Sequence, residues 1–204
     1  MKQTGKQHKR IQTLVQMAAL IAIMLVLELV GLGMIKIGVL EMTILQVPVI
    51  IGAITMGPMA GAALGGVFGL ISFWECFGKS YFGSVLLGIN PFLTFLVCVP
   101  TRILMGWLCG LIFRAINRSG RFRLLPFASA SLAGALLNTA LFMTTLMLCF
   151  GRTQAIQDLQ GGMHIIPFVF AFVGVQGLVE ALLSAFLGTA ISKGLCAALR
   201  LQGA

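Results

Sequence analysis

Charge is the scarcest property of this 204-residue chain: 9% of its residues are Asp, Glu, Lys or Arg, and only 5 of those are acidic. Aspartate occurs once, at Asp158, so the paired aspartates of an aspartyl intramembrane protease are excluded. Histidine occurs twice, His8 in a basic leader and His164 at a helix mouth, which rules out an HExxH site and leaves a histidine metal cage nothing to draw on. The 5 cysteines, Cys76, Cys98, Cys109, Cys149 and Cys196, are odd in number, scattered through apolar runs and never spaced as CxxC. They argue against a zinc site or disulfide framework and read as small polarizable packing residues. No GxSxG motif occurs, Ser84 has no histidine partner on a span, and no P-loop is present. The chain is expected to hold no catalytic residue, no metal and no cofactor, and any ATP hydrolysis belongs to partner chains.

What is abundant is apolar sequence. Hydrophobic residues make up 59% of the chain, and the mean hydropathy is +1.04, far outside the range of a soluble domain. A helical span needs roughly 20 apolar residues, so about six spans and their connections use the whole length as one membrane domain, residues 1–204. The hydrophobic segments are 11–34, 44–56, 59–77, 91–113, 124–150 and 165–195, behind a basic leader at 1–10. That leader resembles the start of a signal peptide, but the apolar run after it is too long and lacks a small-residue cleavage site, so it reads as a retained first span. The expected fold is an all-α integral membrane bundle of six transmembrane helices.

The few cations set its orientation. Lys2, Lys6, Lys9, Arg10, Arg114, Arg118, Arg121, Arg123, Lys193 and Arg200 fall on the side shared by both termini, whereas the opposite loops carry Lys36, Lys79 and Arg152. The positive-inside rule then makes both termini cytoplasmic. The formal charge of +9 reflects that topology and not nucleic-acid binding, because no aromatic stacking platform is interleaved with the basic residues. The outward connections, 35–43, 78–90 and 151–164, hold most of the outward polar groups and are where function is expected.

Charged groups at membrane depth are costly, so each is a candidate for function. Glu28 and Glu75 lie near outer span ends, where reaching the headgroups is the plainer alternative. Arg102 and Glu180 are deeper, and either meet a ligand or form a buried ion pair. Pro100 removes a backbone hydrogen bond just before Arg102, which makes a kinked anion seat there. Asn138 and Gln176 add neutral groups at depth that suit a ligand or an interhelical hydrogen bond. Trp74, Phe77, Tyr81 and Phe82 cap an apolar ligand body or belong to an interfacial aromatic belt.

The run from Ile44 to Trp74, ILQVPVIIGAITMGPMAGAALGGVFGLISFW, carries no charge. Gly57, Gly61, Gly65 and Gly69 form a small-xxx-small ladder along it that lets helix backbones approach closely. Such a surface suits a body that moves against a partner helix. The first span carries Ala18 and Ala22 in QMAALIAIM, an AxxxA patch. Together with GLGMIKIG at 31–38, the run at 43–74 and VPTRILMGW at 99–107, the chain resembles a substrate-binding S component of the energy-coupling factor vitamin transporters, most closely the pantothenate-type branch.

That resemblance implies a multi-pass protein of the bacterial cytoplasmic membrane that captures a vitamin in an outward pocket. It further implies association, through Ala18 and Ala22, with a transmembrane coupling protein and two ABC-type ATPases. The implied pocket is Lys36, Trp74, Lys79, Asn90, Arg102, Asn138, Gln176 and Glu180, with pantothenate as its ligand. Riboflavin, folate or another vitamin is the alternative, the first two using Trp74 and Tyr81 for stacking. From a different class, a membrane-embedded transferase is the alternative, and it predicts product formation without any ATPase partner. A secondary carrier is the third reading, but inverted repeats and broken half-helices are not evident.

Overall fold

The structure, a computed structural model, describes residues 2–31, 33–37, 40–118, 124–160 and 165–202. The described chain runs α1 (Lys2–Leu29), β1 (Met34–Ile37), β2 (Leu40–Thr43), α2 (Gln46–Thr55), α3 (Pro58–Glu75), α4 (Tyr81–Ile89), α5 (Pro91–Asn117), α6 (Leu125–Phe150), α7 (Gln154–Gln160) and α8 (Ile165–Gln202). Four stretches among the described residues are long and apolar enough to cross a membrane: Arg10–Leu29, Pro91–Asn117, Leu125–Phe150 and Gly177–Ala198. The protein is a helical membrane protein. The expected second span is α2, whose 10 residues rise only about 15 Å, half a bilayer core. The expected third is α3, whose 18 residues rise about 27 Å.

The all-α expectation needs one amendment. Residues 34–43 contain an antiparallel hairpin with Met34 opposite Thr43, Ile35 opposite Met42, Lys36 opposite Glu41 and Ile37 opposite Leu40. β2, Leu-Glu-Met-Thr, alternates apolar and polar residues with a period of two, and Lys36 is the single polar residue of β1. Short helices also lie within the connections 78–90 and 151–164. In α4, Ser80 provides the N-cap, its hydroxyl accepting from Gly83 N at 3.0 Å; α7 follows the turn after α6.

Helix α2 sits at the centre, packed against α1, α3, α5, α6 and α8. Its residues from Gln46 to Ile54 are all buried, so this short apolar helix is covered by protein. The chain then turns at Gly57, whose φ of 101° suits a residue without a Cβ, and Pro58 opens α3 at a position that needs no backbone donor. Leu20 and Met24 of α1, Leu45, Val47, Val49 and Ile51 around α2, Leu64 and Phe68 of α3, and Met105 of α5 form the main buried cluster. Since lipid is as apolar as these side chains, close packing and not water exclusion holds the helices together.

The glycine ladder turns its face inward. A Cβ on Gly61 would strike the Gly106 carbonyl, one on Gly65 the Arg102 carbonyl, and one on Gly69 would lie 2.7 Å from Val99 Cα. Three rungs are therefore occupied by α5 of the same chain. The expectation that this surface is free to move against a partner is corrected: it is where α3 and α5 lock.

Candidate binding site

Arg102 sits on α5 one turn beyond Cys98 and two residues after Pro100, with 6% of its surface exposed. The proline deprives the preceding turn of one amide donor. Two side chains then bond a carbonyl of that turn: Thr101 Oγ1 donates to Val97 O, and Arg102 Nη1 donates to the same oxygen at 2.8 Å. Nη1 also donates to Thr101 Oγ1 at 3.1 Å. The guanidinium lies 4.6 Å from the ring centre of Phe142 on α6 and 5.5 Å from that of Phe68 on α3. Both are within the range of cation–π attraction. Glu75 of α3 and Glu180 of α8, both buried, lie within its electrostatic reach. These contacts offset the cost of a cation at this depth. Arg102 Nε has no hydrogen-bond partner among the described residues.

Asn138 lies one turn before Phe142 on α6, so it shares the face that Arg102 approaches. It is buried, and its Oδ1 has no hydrogen-bond partner among the described residues. On α8, Glu180 Oε1 accepts from Thr43 N at 2.7 Å, tying the base of the β1–β2 hairpin to the bundle. One turn further along α8, Ser184 Oγ accepts from Gln46 Nε2 at 2.8 Å. Gln46 Oε1 is a third buried polar atom without a partner among the described residues. An unsatisfied buried polar group costs about 1–3 kcal/mol, so a guanidinium donor and two amide oxygens left open mark where a polar ligand would repay that cost.

Other expected site residues stand elsewhere. Trp74 is 70% exposed and Tyr81 78% exposed. Trp74 lies tilted against Phe77 with ring centres 6.2 Å apart, and Phe77 meets Phe73 edge-on, as in an interfacial aromatic belt. Lys79 Nζ donates to Glu28 Oε1 at 2.7 Å. That bond and the carboxylate charge hold the Lys79 pKa above the ordinary lysine value. Asn90 Oδ1 accepts from Phe92 N at 3.0 Å and Leu93 N at 3.2 Å, capping α5 ahead of Pro91. Lys36 and Gln176 fall on β1 and α8, and their side chains lie outside the described residues. Ala18 and Ala22 are exposed on α1.

Sequence reasoning brought Arg102, Asn138 and Glu180 to this region and missed Gln46 and Ser184. Gln46 is the sole side-chain amide within 44–74, a run whose glycines and lack of charge drew the reading away from it. Among the described residues no three metal-ligating side chains come together. Around Arg102 the structure offers one fixed cation between two aromatic walls, with Asn138 one turn from Phe142 and its Oδ1 without a partner among the described residues, while Gln46 stands on Ser184 where α2 meets α8.

Residues 12–192 match the family described as ECF transporter, substrate-specific component. The chain is 33% identical to the pantothenic acid transporter PanT of Lactococcus lactis subsp. cremoris (strain MG1363) over 158 residues, which is 72% of this chain and 74% of the relative. It is 28% identical to the pantothenate transporter PanT of Leuconostoc mesenteroides subsp. mesenteroides over 149 residues, 71% of this chain and 70% of the relative.

Proposed function

The chain belongs to the family of substrate-specific components of ECF transporters, and on that premise we propose that it captures pantothenate for an importer of the bacterial cytoplasmic membrane. The observation that carries this reading is the conjunction of two relatives named for pantothenate transport with one buried guanidinium whose Nε is unpartnered among the described residues. Pantothenate is a small, flexible, anionic hydroxy-amide. Its carboxylate takes a charge-assisted hydrogen bond from Arg102, and a hydroxyl or amide N–H donates to Asn138. Lys36, Gln176 and Glu180 complete the outward side, with Lys79 and Trp74 at the rim. The exposure of Trp74 and Tyr81 speaks against riboflavin or folate, which would need those rings as stacking walls.

The proposed architecture is one membrane domain with six spans, α1, α2, α3, α5, α6 and α8, and both termini cytoplasmic. The charge asymmetry supports it. The proposed partners are a transmembrane coupling protein, docking at Ala18 and Ala22, and two ABC-type ATPases that hydrolyse ATP on its behalf. No observation favours the transferase reading.

Calorimetric titration of the purified protein tests the assignment. Pantothenate is expected to bind with a submicromolar Kd, and Arg102→Gln to weaken binding by about 10- to 100-fold, the worth of one charge-assisted contact. Tight binding of a different B vitamin would overturn pantothenate, and no submicromolar binding across the B vitamins would overturn capture itself.

A further inference from the structure

The glutamine that opens α2 is the least explained polar group in the bundle. Gln46 has 0% of its surface exposed and stands among buried Leu45, Val47, Val49 and Ile50. One amide atom is used on Ser184 Oγ and the other has no partner among the described residues. Exchanging the amide oxygen and nitrogen does not remove the problem. The Ser184 hydroxyl can donate as well as accept, so a flipped amide would satisfy its oxygen and strand its nitrogen. Either way, one polar atom of a wholly buried amide is left without a partner among the described residues, although buried polar atoms are nearly always paired.

The same amide is held from two directions. Three residues before it, Thr43 N donates to Glu180 Oε1 at 2.7 Å, and Leu45 N donates to Thr43 Oγ1 at 3.2 Å. One turn beyond Glu180 on α8, Ser184 fixes the side chain itself. Gln46 is thereby pinned where the β1–β2 hairpin, α2 and α8 meet. A side chain locked by its neighbours with one acceptor left open is what a specific contact requires.

We propose that Gln46, positioned by Ser184, determines specificity by accepting a hydrogen bond at Oε1 from a hydroxyl of the ligand. This rests on the capture reading and narrows the ligand class to an anion that also carries a hydroxyl donor. Gln46 Oε1 and Asn138 Oδ1 are both acceptors, whereas Arg102 Nε is a donor. With Gln46 Nε2 donating to Ser184, a simple dicarboxylate brings acceptors only and leaves Gln46 Oε1 and Asn138 Oδ1 without a donor, so a hydroxyl-bearing anion is the better fit.

The test is a cycle between protein and ligand. Wild type, Gln46→Met and Ser184→Ala are titrated with pantothenate and with two analogues in which one hydroxyl or the other is replaced by hydrogen. Wild type is expected to bind one analogue about tenfold more weakly than pantothenate. Gln46→Met is expected to lose the same factor for pantothenate and nothing further for that analogue. Ser184→Ala is expected to keep only part of the discrimination. Equal weakening of all three ligands by Gln46→Met would mean a packing role and would overturn the proposal. So would a wild type that does not distinguish pantothenate from either analogue, a result that needs no variant to fold. Wild-type binding without discrimination overturns only this inference, whereas no binding of any of the three overturns the capture reading and this inference with it.

Discussion

Asn90 and Asn138 are both asparagines near helices of the bundle, yet they do different work. Asn90 takes an extended backbone, accepts from two amides at the start of α5 and is followed by Pro91 at the first helical position. That is a helix N-cap, and the pair Asn-Pro ahead of an apolar run is a sequence signature for one. Reading Asn90 as a ligand contact overlooked it. Asn138 lies in mid-helix, where no cap is needed, and its Oδ1 has no hydrogen-bond partner among the described residues, so it stays among the proposed ligand contacts. Asn90→Ala is expected to cost about 1 kcal/mol of stability, seen as a thermal midpoint lowered by a few degrees, while Asn90→Asp is close to neutral. Pantothenate affinity should be the same in all three proteins. A selective loss of affinity in Asn90→Ala would return this residue to the ligand.

At the level of elements, the spacing of the glycines was legible but their partner was not. A four-residue repeat tells that one face of α3 admits a close neighbour; it does not tell which helix comes. The neighbour is α5, pressed backbone to backbone at Gly61, Gly65 and Gly69. Gly66 lies one residue off the ladder, where an added Cβ would rest 3.6 Å from Ile103 Cγ1, an ordinary contact. The two positions make an internal control. Gly65→Ala is expected to force α3 and α5 apart and cost about 1–3 kcal/mol as overpacking. Gly66→Ala should be neutral or stabilising by up to about 1 kcal/mol, because alanine favours helix. Thermal unfolding in one detergent compares them, and similar midpoints for both would contradict the packing described. Helices α4 and α7 and the β1–β2 hairpin were less legible, since the glycines around 78–90 and 151–164 resemble those of a loop and a short amphipathic element leaves little periodicity to read.

For the molecule as a whole, the question is which surface remains for a partner once the ladder is spent. Helix α2 is buried and the glycine face of α3 is covered by α5. Helix α1 buries Leu20 and Met24 but exposes Leu14, Val15, Leu25, Val26 and Leu29, with Ala18 and Ala22 exposed on the same helix. Small residues one turn apart let another helix approach closely in lipid, where association depends on packing. The surface left for the proposed partner is therefore that of α1, which carries Ala18 and Ala22. Separate roles for α1 and the residues around Arg102 make a sharp expectation. Replacing both Ala18 and Ala22 with leucine should leave the Kd for pantothenate unchanged, since neither side chain approaches Arg102, Asn138 or Gln46 in any described contact. Co-purification with the coupling protein, and pantothenate uptake by cells expressing the full importer, should fall at least tenfold. Undiminished uptake would show that α1 is not the docking helix; loss of binding as well as uptake would show that α1 shapes the ligand site, and the division of labour between α1 and the outward half of the bundle would be wrong.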